Sequence, residues 1–130
     1  MYYEIAVGSP QKRGLLIDTE AFHDVVIAEG GDRAVYRSVY LYDDDALAYR
    51  KAHGSLRDYL GMRSIDVIPI DIDKKDNSDE HTLAKTQGVL LELADKGLSK
   101  NIQCYFSGTG YHLIVHNDVF RFKPSKDLPY

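Results

Sequence analysis

The sequence predicts a single α/β or α+β domain with a mainly antiparallel sheet and packed helices. Residues 65–116 read in the order strand, helix, strand, strand, and such a β-α-β-β order pairs its strands largely antiparallel. The chain has 130 residues, the size of one domain. Hydrophobic residues make up 44% and charged residues 28%, close to the globular average, which excludes disordered and fibrous classes.

The first half of the chain contains short apolar runs separated by glycine-containing turns. Residues 5–7, 15–17 and 25–27 form runs short enough to be strands. The alternation over residues 36–42 predicts a further strand. A helix is expected over residues 46–60.

Capping residues define that first predicted helix. Asp43 precedes it as an N-cap, and Gly61 follows it as a C-cap. Gly54 lies inside the helix and is expected to divide it into two pieces.

The second half has clearer boundaries. We predict a strand over residues 65–73, a helix over 79–96, strands over 101–107, 111–116 and 119–122, and a linker over 124–129. Pro69 has no N–H to donate, so the first of these strands should lie at a sheet edge or contain a bulge. The helix is capped by Asn77 or Ser78 and ends at Gly97. Its expected apolar stripe consists of Leu83, Leu90, Leu93 and Ala94.

Composition excludes several classes of protein. A formal net charge of −4 excludes a uniformly basic nucleic-acid coat and leaves room for a local basic groove. Cys104 is the single cysteine, so an intrachain disulfide and a thiolate zinc site are excluded. The sequence shows neither a signal-peptide pattern nor a membrane-span-length apolar run, so we expect a cytoplasmic protein without a membrane partner.

Two groups of residues have ordinary structural interpretations. Arginines interleave with tyrosines in the first half, a pattern that suits a single-strand contact face but also fits sheet tyrosines and solvated arginines; we favour the second interpretation. The interleaved residues are Arg33, Arg37, Arg50, Arg57 and Arg63 with Tyr36, Tyr40, Tyr42, Tyr49 and Tyr59. His23, His53 and His81 lack ligand-like spacing and are expected at the surface.

Asp71 and Asp73 form a D-x-D pair at the end of a hydrophobic strand. Residues two apart on a strand face the same side, so the two carboxylates repel each other unless a cation lies between them. Mg²⁺ typically takes one or two carboxylates together with substrate phosphates. The pair therefore predicts a divalent-metal site, and the alternative is a strand that ends in solvent without a ligand.

The second motif is the loop from Ser107 to His112 between two predicted strands. Glycines at 108 and 110 let backbone approach a phosphate, Ser107 adds a hydroxyl, and His112 can donate to a phosphate oxygen. The alternative is a simple glycine hairpin. His112 and His116 are four residues apart, but a helical zinc motif needs a helix and a glutamate directly after the first histidine, and this predicted strand has neither.

Together these motifs resemble the catalytic core of the archaeo-eukaryotic primase superfamily, the primase–polymerases, most of all those of phages and mobile elements. The hydrophobic strand that ends in Asp71-Ile72-Asp73 corresponds to one family motif, and Gly110-Tyr111-His112, preceded by Ser107-Gly108, corresponds to the small-x-His motif. A helix and a strand lie between them, as in the family. The resemblance covers about residues 60–116.

The resemblance implies a fold, a set of roles and a reaction. The fold is a modified RNA-recognition-type sheet, mainly antiparallel, with residues 1–60 as an N-terminal part and 61–124 as the metal and nucleotide core. Asp71 and Asp73 would bind Mg²⁺ or Mn²⁺, while His112, Ser107 and Gly108 would hold the phosphates of an incoming NTP or dNTP. The activity would be template-directed primer synthesis in DNA replication, on single-stranded DNA.

One family motif is missing from the sequence. The family places a third metal-binding acid on a later strand, but Asp118 and Asp127 follow turn-like and polar residues instead. We therefore expect an incomplete unit, inactive alone, that a second chain or a downstream domain completes, and a helicase is a further expected partner. Phe120 and Phe122 are expected beside an open sheet edge. The alternatives are a non-catalytic nucleic-acid-binding module and a different metal-dependent enzyme, such as a nuclease or an untemplated nucleotidyltransferase.

Overall fold

A computed structural model describes residues 1–120 and 122–127 of the chain. This part of the protein is mixed α+β, with antiparallel sheets and three α-helices. It divides into two compact units. The first comprises Met1–Asp66 with the segment that begins at Phe122, and the second begins at Val67 and includes the chain up to residue 120.

The bounds of the elements are as follows. The strands of the described chain are Tyr2–Val7 (β1), Leu15–Asp18 (β2), Val35–Tyr42 (β3), Arg63–Ile65 (β4), Val67–Asp73 (β5), Ile102–Phe106 (β6) and Gly110–His116 (β7). Its α-helices are Phe22–Ala28 (α1), Asp44–His53 (α2) and Asp79–Asp95 (α3). Short 3-10 turns occupy Pro10–Lys12, Ser99–Asn101 and Asn117–Val119.

The first unit contains a four-stranded antiparallel sheet in the order β2-β1-β3-β4. The strands predicted over residues 5–7, 15–17 and 36–42 are confirmed. Core residues from the sheet, from α2 and from the loop after it pack in one cluster, which consists of Leu16, Tyr42, Ala46, Leu56 and Tyr59. Burial of these apolar side chains is the main force that holds the helix against the sheet.

Residues 25–27 lie in a helix, so the strand predicted there is wrong. They belong to α1, where Val26 and Ile27 are exposed. Phe22, the first residue of α1, packs edge-on against Tyr3, with ring centroids 5.7 Å apart. A run of three apolar residues fits either a strand or a helix, and here a contact with a distant residue decides between them.

Helix α2 has the predicted N-cap, begins two residues before the predicted range and ends earlier than predicted. The side chain of Asp43 accepts a hydrogen bond from the Ala46 N–H at 3.2 Å, which confirms the N-cap and is typically worth about 1 kcal/mol. Gly54 has φ 79°, a left-handed conformation that ends the helix, so the predicted end at Gly61 is wrong.

The second unit is a β-α-β-β arrangement, as predicted, and its strands lie in the order β5-β7-β6. β5 lies at the sheet edge, in agreement with Pro69. The single strand predicted over residues 65–73 is instead two strands, β4 and β5, in different sheets. Asp66 separates them and accepts hydrogen bonds from Tyr3 and Arg37.

Helix α3 packs on β5 and β7 through a face that differs from the predicted stripe. Ser78 caps it, and its buried residues are Thr82 and Thr86, while Leu83 and Ala94 are exposed. Each threonine hydroxyl donates to the carbonyl four residues earlier, Thr82 to Ser78 and Thr86 to Thr82. These bonds satisfy the buried hydroxyls, which a search for apolar residues overlooks.

The described C-terminal residues do not form the predicted strand over 119–122. Val119 closes a 3-10 turn, in which the Phe120 N–H donates to Asn117 O at 3.2 Å, and Phe122 lies in irregular chain. Arg121 and residues 128–130, the end of the predicted linker, lie outside the described residues. Ser125 pairs with Arg63 through two backbone hydrogen bonds.

Within residues 1–120 and 122–127, no helix has both the length and the apolar character that a bilayer crossing requires.

Candidate metal and nucleotide site

Asp71 and His112 face each other across neighbouring strands. In the antiparallel β5–β7 ladder Asp71 is paired with His112, and Asp73 is paired with Gly110. The His112 Nε2 lies 3.3 Å from Asp71 Oδ1. The fold therefore places the D-x-D pair and the small-x-His motif side by side, and their functional roles remain predictions.

This cluster lies on the open face of the second sheet. On β7, Leu113 and Val115 are buried at 0% and 5% exposure, whereas the His112 side chain is 52% exposed. On β5, Ile72 is buried between the exposed Asp71 and Asp73. Because successive strand residues alternate between faces, the two carboxylates and the imidazole share the solvent-facing side.

The β6–β7 hairpin brings the glycine loop to the same end of the sheet. Ser107 N–H donates to Gly110 O at 2.9 Å, which closes the turn two pairs beyond Tyr105 and His112. The Ser107 N–H is therefore used within the protein, and its hydroxyl is the group left for a ligand. Gly108 has φ 95° at the tip of this turn.

Gly110 permits a close approach between β7 and β5. A Cβ atom at this position would lie 2.3 Å from Ile72 O and 3.2 Å from Asp73 Cα. Both of these atoms are backbone, so they cannot move aside without displacing β5. The absence of a side chain at Gly110 thus fixes the distance between the strand that carries the carboxylates and the strand that carries His112.

Three further polar residues share a hollow with the carboxylates. The hollow has a volume of about 200 Å³ and is lined by Asp71, Ile72, Asp73, Lys75, Asn77 and Lys85. Neither lysine belongs to a recognisable motif, so the sequence alone does not point to them. Lys75 could have been found from its position two residues after Asp73, close to the carboxylates in sequence. Lys85 could not, because it reaches the hollow through the packing of α3, which the sequence pattern does not reveal.

No protein-family model, curated protein or solved structure matches the chain. The chemistry of the site is therefore inferred from its own residues.

The two carboxylates suit one hard divalent cation. Both are exposed on one face about 6–7 Å apart at the backbone, and neither is paired with a lysine or arginine in the described chain. Mg²⁺ and Mn²⁺ accept one or two carboxylates and take further oxygens from water or phosphate. Among the described residues, no three His, Cys, Asp or Glu side chains gather in a metal-binding group.

The two remaining candidates for a third acid, Asp118 and Asp127, lie in different units of the chain. Asp118 follows the end of β7 at His116, which is paired with Val67, four residues before Asp71 and about 13 Å along the strand. There it accepts a hydrogen bond from the Asn101 side chain at 3.5 Å. Asp127 belongs to the first unit, where its N–H donates to Ser125 Oγ.

The arginines and tyrosines of the first half serve mainly structural contacts. Tyr42 and Tyr59 are in the core, Arg37 pairs with Asp66 at 3.1 Å, and Arg63 is buried at 3% exposure. The tyrosines agree with the structural interpretation favoured from the sequence, whereas Arg37 and Arg63 lie on strands, and Arg63 is buried instead of solvated. His23, His53 and His81 are exposed, as predicted.

Proposed function

We propose that this chain is the metal- and nucleotide-binding core of a primase–polymerase, a DNA-directed nucleotidyltransferase. The observation that carries the proposal is the Asp71–His112 pair, with Asp73 and the Ser107–Gly110 turn at the same end of one open sheet face. A metal-binding strand and a phosphate-binding hairpin are there held together by backbone hydrogen bonds. Such rigid placement is what phosphoryl transfer requires of the protein.

Each residue of the site has a distinct role in this proposal. Asp71 and Asp73 hold Mg²⁺ or Mn²⁺, and that ion supplies charge neutralisation at the phosphates. His112 donates a hydrogen bond from its Nε2–H to a phosphate oxygen of the NTP or dNTP. Because this nitrogen lies 3.3 Å from Asp71 Oδ1, the metal-bound phosphate and the imidazole meet at one point. The Ser107 hydroxyl and the Gly108 backbone contact the same phosphates from the turn.

The proposed reaction is template-directed primer synthesis. The 3′-hydroxyl of one nucleotide attacks the α-phosphate of the next, the hydroxyl proton is lost to solvent, and pyrophosphate leaves. Single-stranded DNA is the template. A second chain or a further domain supplies the third carboxylate, and a helicase is the partner that exposes the template.

Titration calorimetry with Mn²⁺ and a non-hydrolysable nucleoside triphosphate tests the proposal. Mn²⁺ should bind weakly alone and more tightly with the triphosphate, because phosphate oxygens complete its shell. Asp71→Asn should abolish the metal-dependent part of nucleotide binding. His112→Ala should weaken triphosphate binding and leave Mn²⁺ binding largely intact.

His116→Ala is the matched control, since His116 lies on the same strand and the same face, four residues from the site. It should bind the triphosphate as the wild type does. Equal binding by wild type and Asp71→Asn would refute the proposed role of the carboxylates.

A non-catalytic nucleic-acid-binding module is the second candidate function. It is favoured by the absence of a third acid from the described site and by Tyr105, which is 52% exposed in the same row as His112 and Asp71. An exposed aromatic ring on an open sheet can stack on a base. Binding of single-stranded DNA that is unaffected by Mn²⁺ and by Asp71→Asn, but lost in Tyr105→Ala, would support this function instead.

A further inference from the structure

The hollow beside the carboxylates contains as many positive as negative side chains. Lys75 and Lys85 line it together with Asp71 and Asp73. Lys75 comes from the loop between β5 and α3, and Lys85 comes from α3 itself. Its neighbour Thr86 is buried at 2% exposure, so the position of Lys85 along the edge of β5 is fixed by packing.

These two lysines are not ion-paired within the described residues, although carboxylates lie in the same hollow. The neighbouring Lys74 behaves differently: its Nζ lies 2.7 Å from Asp79 Oδ1. If Lys75 and Lys85 served only to neutralise Asp71 and Asp73, their ammonium groups would be expected within the same short distance. Both ammonium groups therefore remain available to an external anion.

The occupant of such a hollow must satisfy the carboxylates and the lysines together. A cation bound by Asp71 and Asp73 leaves the two ammonium groups with a surplus of positive charge. A ligand that carries a divalent cation and several negative charges meets both requirements. Lysine binds phosphate as a flexible point charge, which suits a chain of phosphates with many oxygens.

We propose that Lys75 and Lys85 bind the β- and γ-phosphates of a nucleoside triphosphate whose reactive end lies at Asp71 and His112. This inference rests on the function proposed above and adds two residues to its nucleotide site. It predicts that these lysines select triphosphates over monophosphates and over the backbone of a nucleic acid. Asn77 lines the same hollow, but its side chain donates to Lys74 O at 3.0 Å and thereby holds the loop.

The test compares Lys75→Gln/Lys85→Gln with Lys74→Gln in full-length protein. Lys74 is in the same loop but does not line the hollow, so it is a matched control for loss of one loop charge. By titration calorimetry with Mn²⁺, the double variant should bind a non-hydrolysable triphosphate about tenfold more weakly than wild type. A nucleoside monophosphate should be affected less than twofold, and Lys74→Gln should bind both as wild type does.

A second arm uses inorganic tripolyphosphate in the presence of a chelator, so that no metal takes part. Lysine-dependent binding should persist there, and it should be unaffected or improved by Asp71→Asn, which removes a negative charge. The inference would be overturned if the double variant bound both the nucleoside triphosphate of the first arm and the tripolyphosphate of the second as tightly as Lys74→Gln does. That result would leave the proposed function intact. Lysine-dependent tripolyphosphate binding without any metal-dependent nucleotide binding would support the inference and overturn the proposed function.

Discussion

At the scale of single residues, two phenols are held in their protonated form, the half-buried Tyr3 and the buried Tyr59. Burial raises the pKa of Tyr3 to about 12, and a hydrogen bond to Asp66 adds to the effect. Burial also raises the pKa of Tyr59 to about 12, with the nearby negative charge of Asp43 as a further cause. A pKa above the ordinary value of 10.0 means that the folded protein prefers the neutral phenol. The resulting stability is complete below about pH 10 and is lost as the pH rises towards about 12.

This titration predicts alkaline unfolding of the first unit. The urea concentration at the midpoint of unfolding should fall between about pH 10 and about pH 12 in wild type. Tyr3→Phe and Tyr59→Phe should each reduce that fall, because phenylalanine cannot ionise. Tyr36→Phe removes a tyrosine that is 42% exposed and serves as the control. The same pH dependence in all four proteins would contradict this explanation.

Glu4 is a buried carboxylate whose partner reaches it from the surface. Glu4 is 6% exposed, and Arg13 donates to it through Nη2 at 2.9 Å and Nε at 3.4 Å. Arg13→Gln should lower the free energy of unfolding by about 1–3 kcal/mol, because the carboxylate loses a charged donor. The ion pair of Arg33 with Glu29, in the turn after α1, provides the comparison because its arginine is exposed, and Arg33→Gln should cost about 0.2–1 kcal/mol. Equal losses in urea titrations would show that burial of Glu4 is not the cause.

The sequence predicted those side chains of the site whose positions depend only on nearby residues in the chain. The spacing of Asp71 and Asp73 on a strand, and the glycine turn before His112, were sufficient to predict that all three would share a face. The two lysines of the hollow were not predictable, since one depends on how α3 is rotated against β5. That rotation follows from Thr82 and Thr86, whose buried hydroxyls bond back to the helix.

At the scale of the elements, one glycine is crowded by a neighbouring strand and another is open to solvent, so we expect alanine to destabilise the protein at the first and stabilise it at the second. Gly110→Ala would put a Cβ 2.3 Å from a backbone oxygen, so it should destabilise the second unit by about 1–3 kcal/mol and weaken nucleotide binding. Gly88 lies inside α3 with no atom within 4 Å of an added Cβ. Gly88→Ala should therefore stabilise by about 0.5–1 kcal/mol.

Chemical denaturation of both glycine variants, with calorimetry for binding, measures these effects. Destabilisation by Gly88→Ala similar to that by Gly110→Ala would mean that the close strand contact is not what restricts residue 110.

Element types were predicted best where a cap or an alternation accompanied the apolar pattern. The caps at Asp43 and Ser78 and the alternation in β3 located their elements correctly. Residues 25–27 had no such signal, and their helix depends on the packing of Phe22 against Tyr3. The break at Asp66 was equally hidden, because its cause is a set of hydrogen bonds from Tyr3 and Arg37, distant in sequence.

At the scale of the whole molecule, we expect little or no primer synthesis by this chain alone. The described site offers two carboxylates, and activation of the attacking hydroxyl by a second ion requires a further ligand. A priming assay on single-stranded DNA with Mn²⁺ and nucleotides measures this. Synthesis by this chain that is abolished by Asp71→Asn would contradict the expectation. In that case Asp118→Asn identifies whether the third acid is Asp118, and its place beyond the far end of the β5–β7 ladder predicts no effect.

The pairing of β5 with β7, the first and last described strands of the second unit, also affects the order in which that unit folds. A tight turn joins β6 to β7. β5 also pairs with β7, but α3 and β6 lie between these two strands in the sequence. Long-range pairing bears the larger loop-closure entropy, so in pulse-labelled exchange the β6–β7 amides should be protected before those of β5. Earlier protection of β5 would contradict this order. During synthesis on the ribosome, Asp71 and Asp73 are translated about 40 residues before His112, which follows them in the sequence. The site can therefore assemble only after β7 has left the exit tunnel.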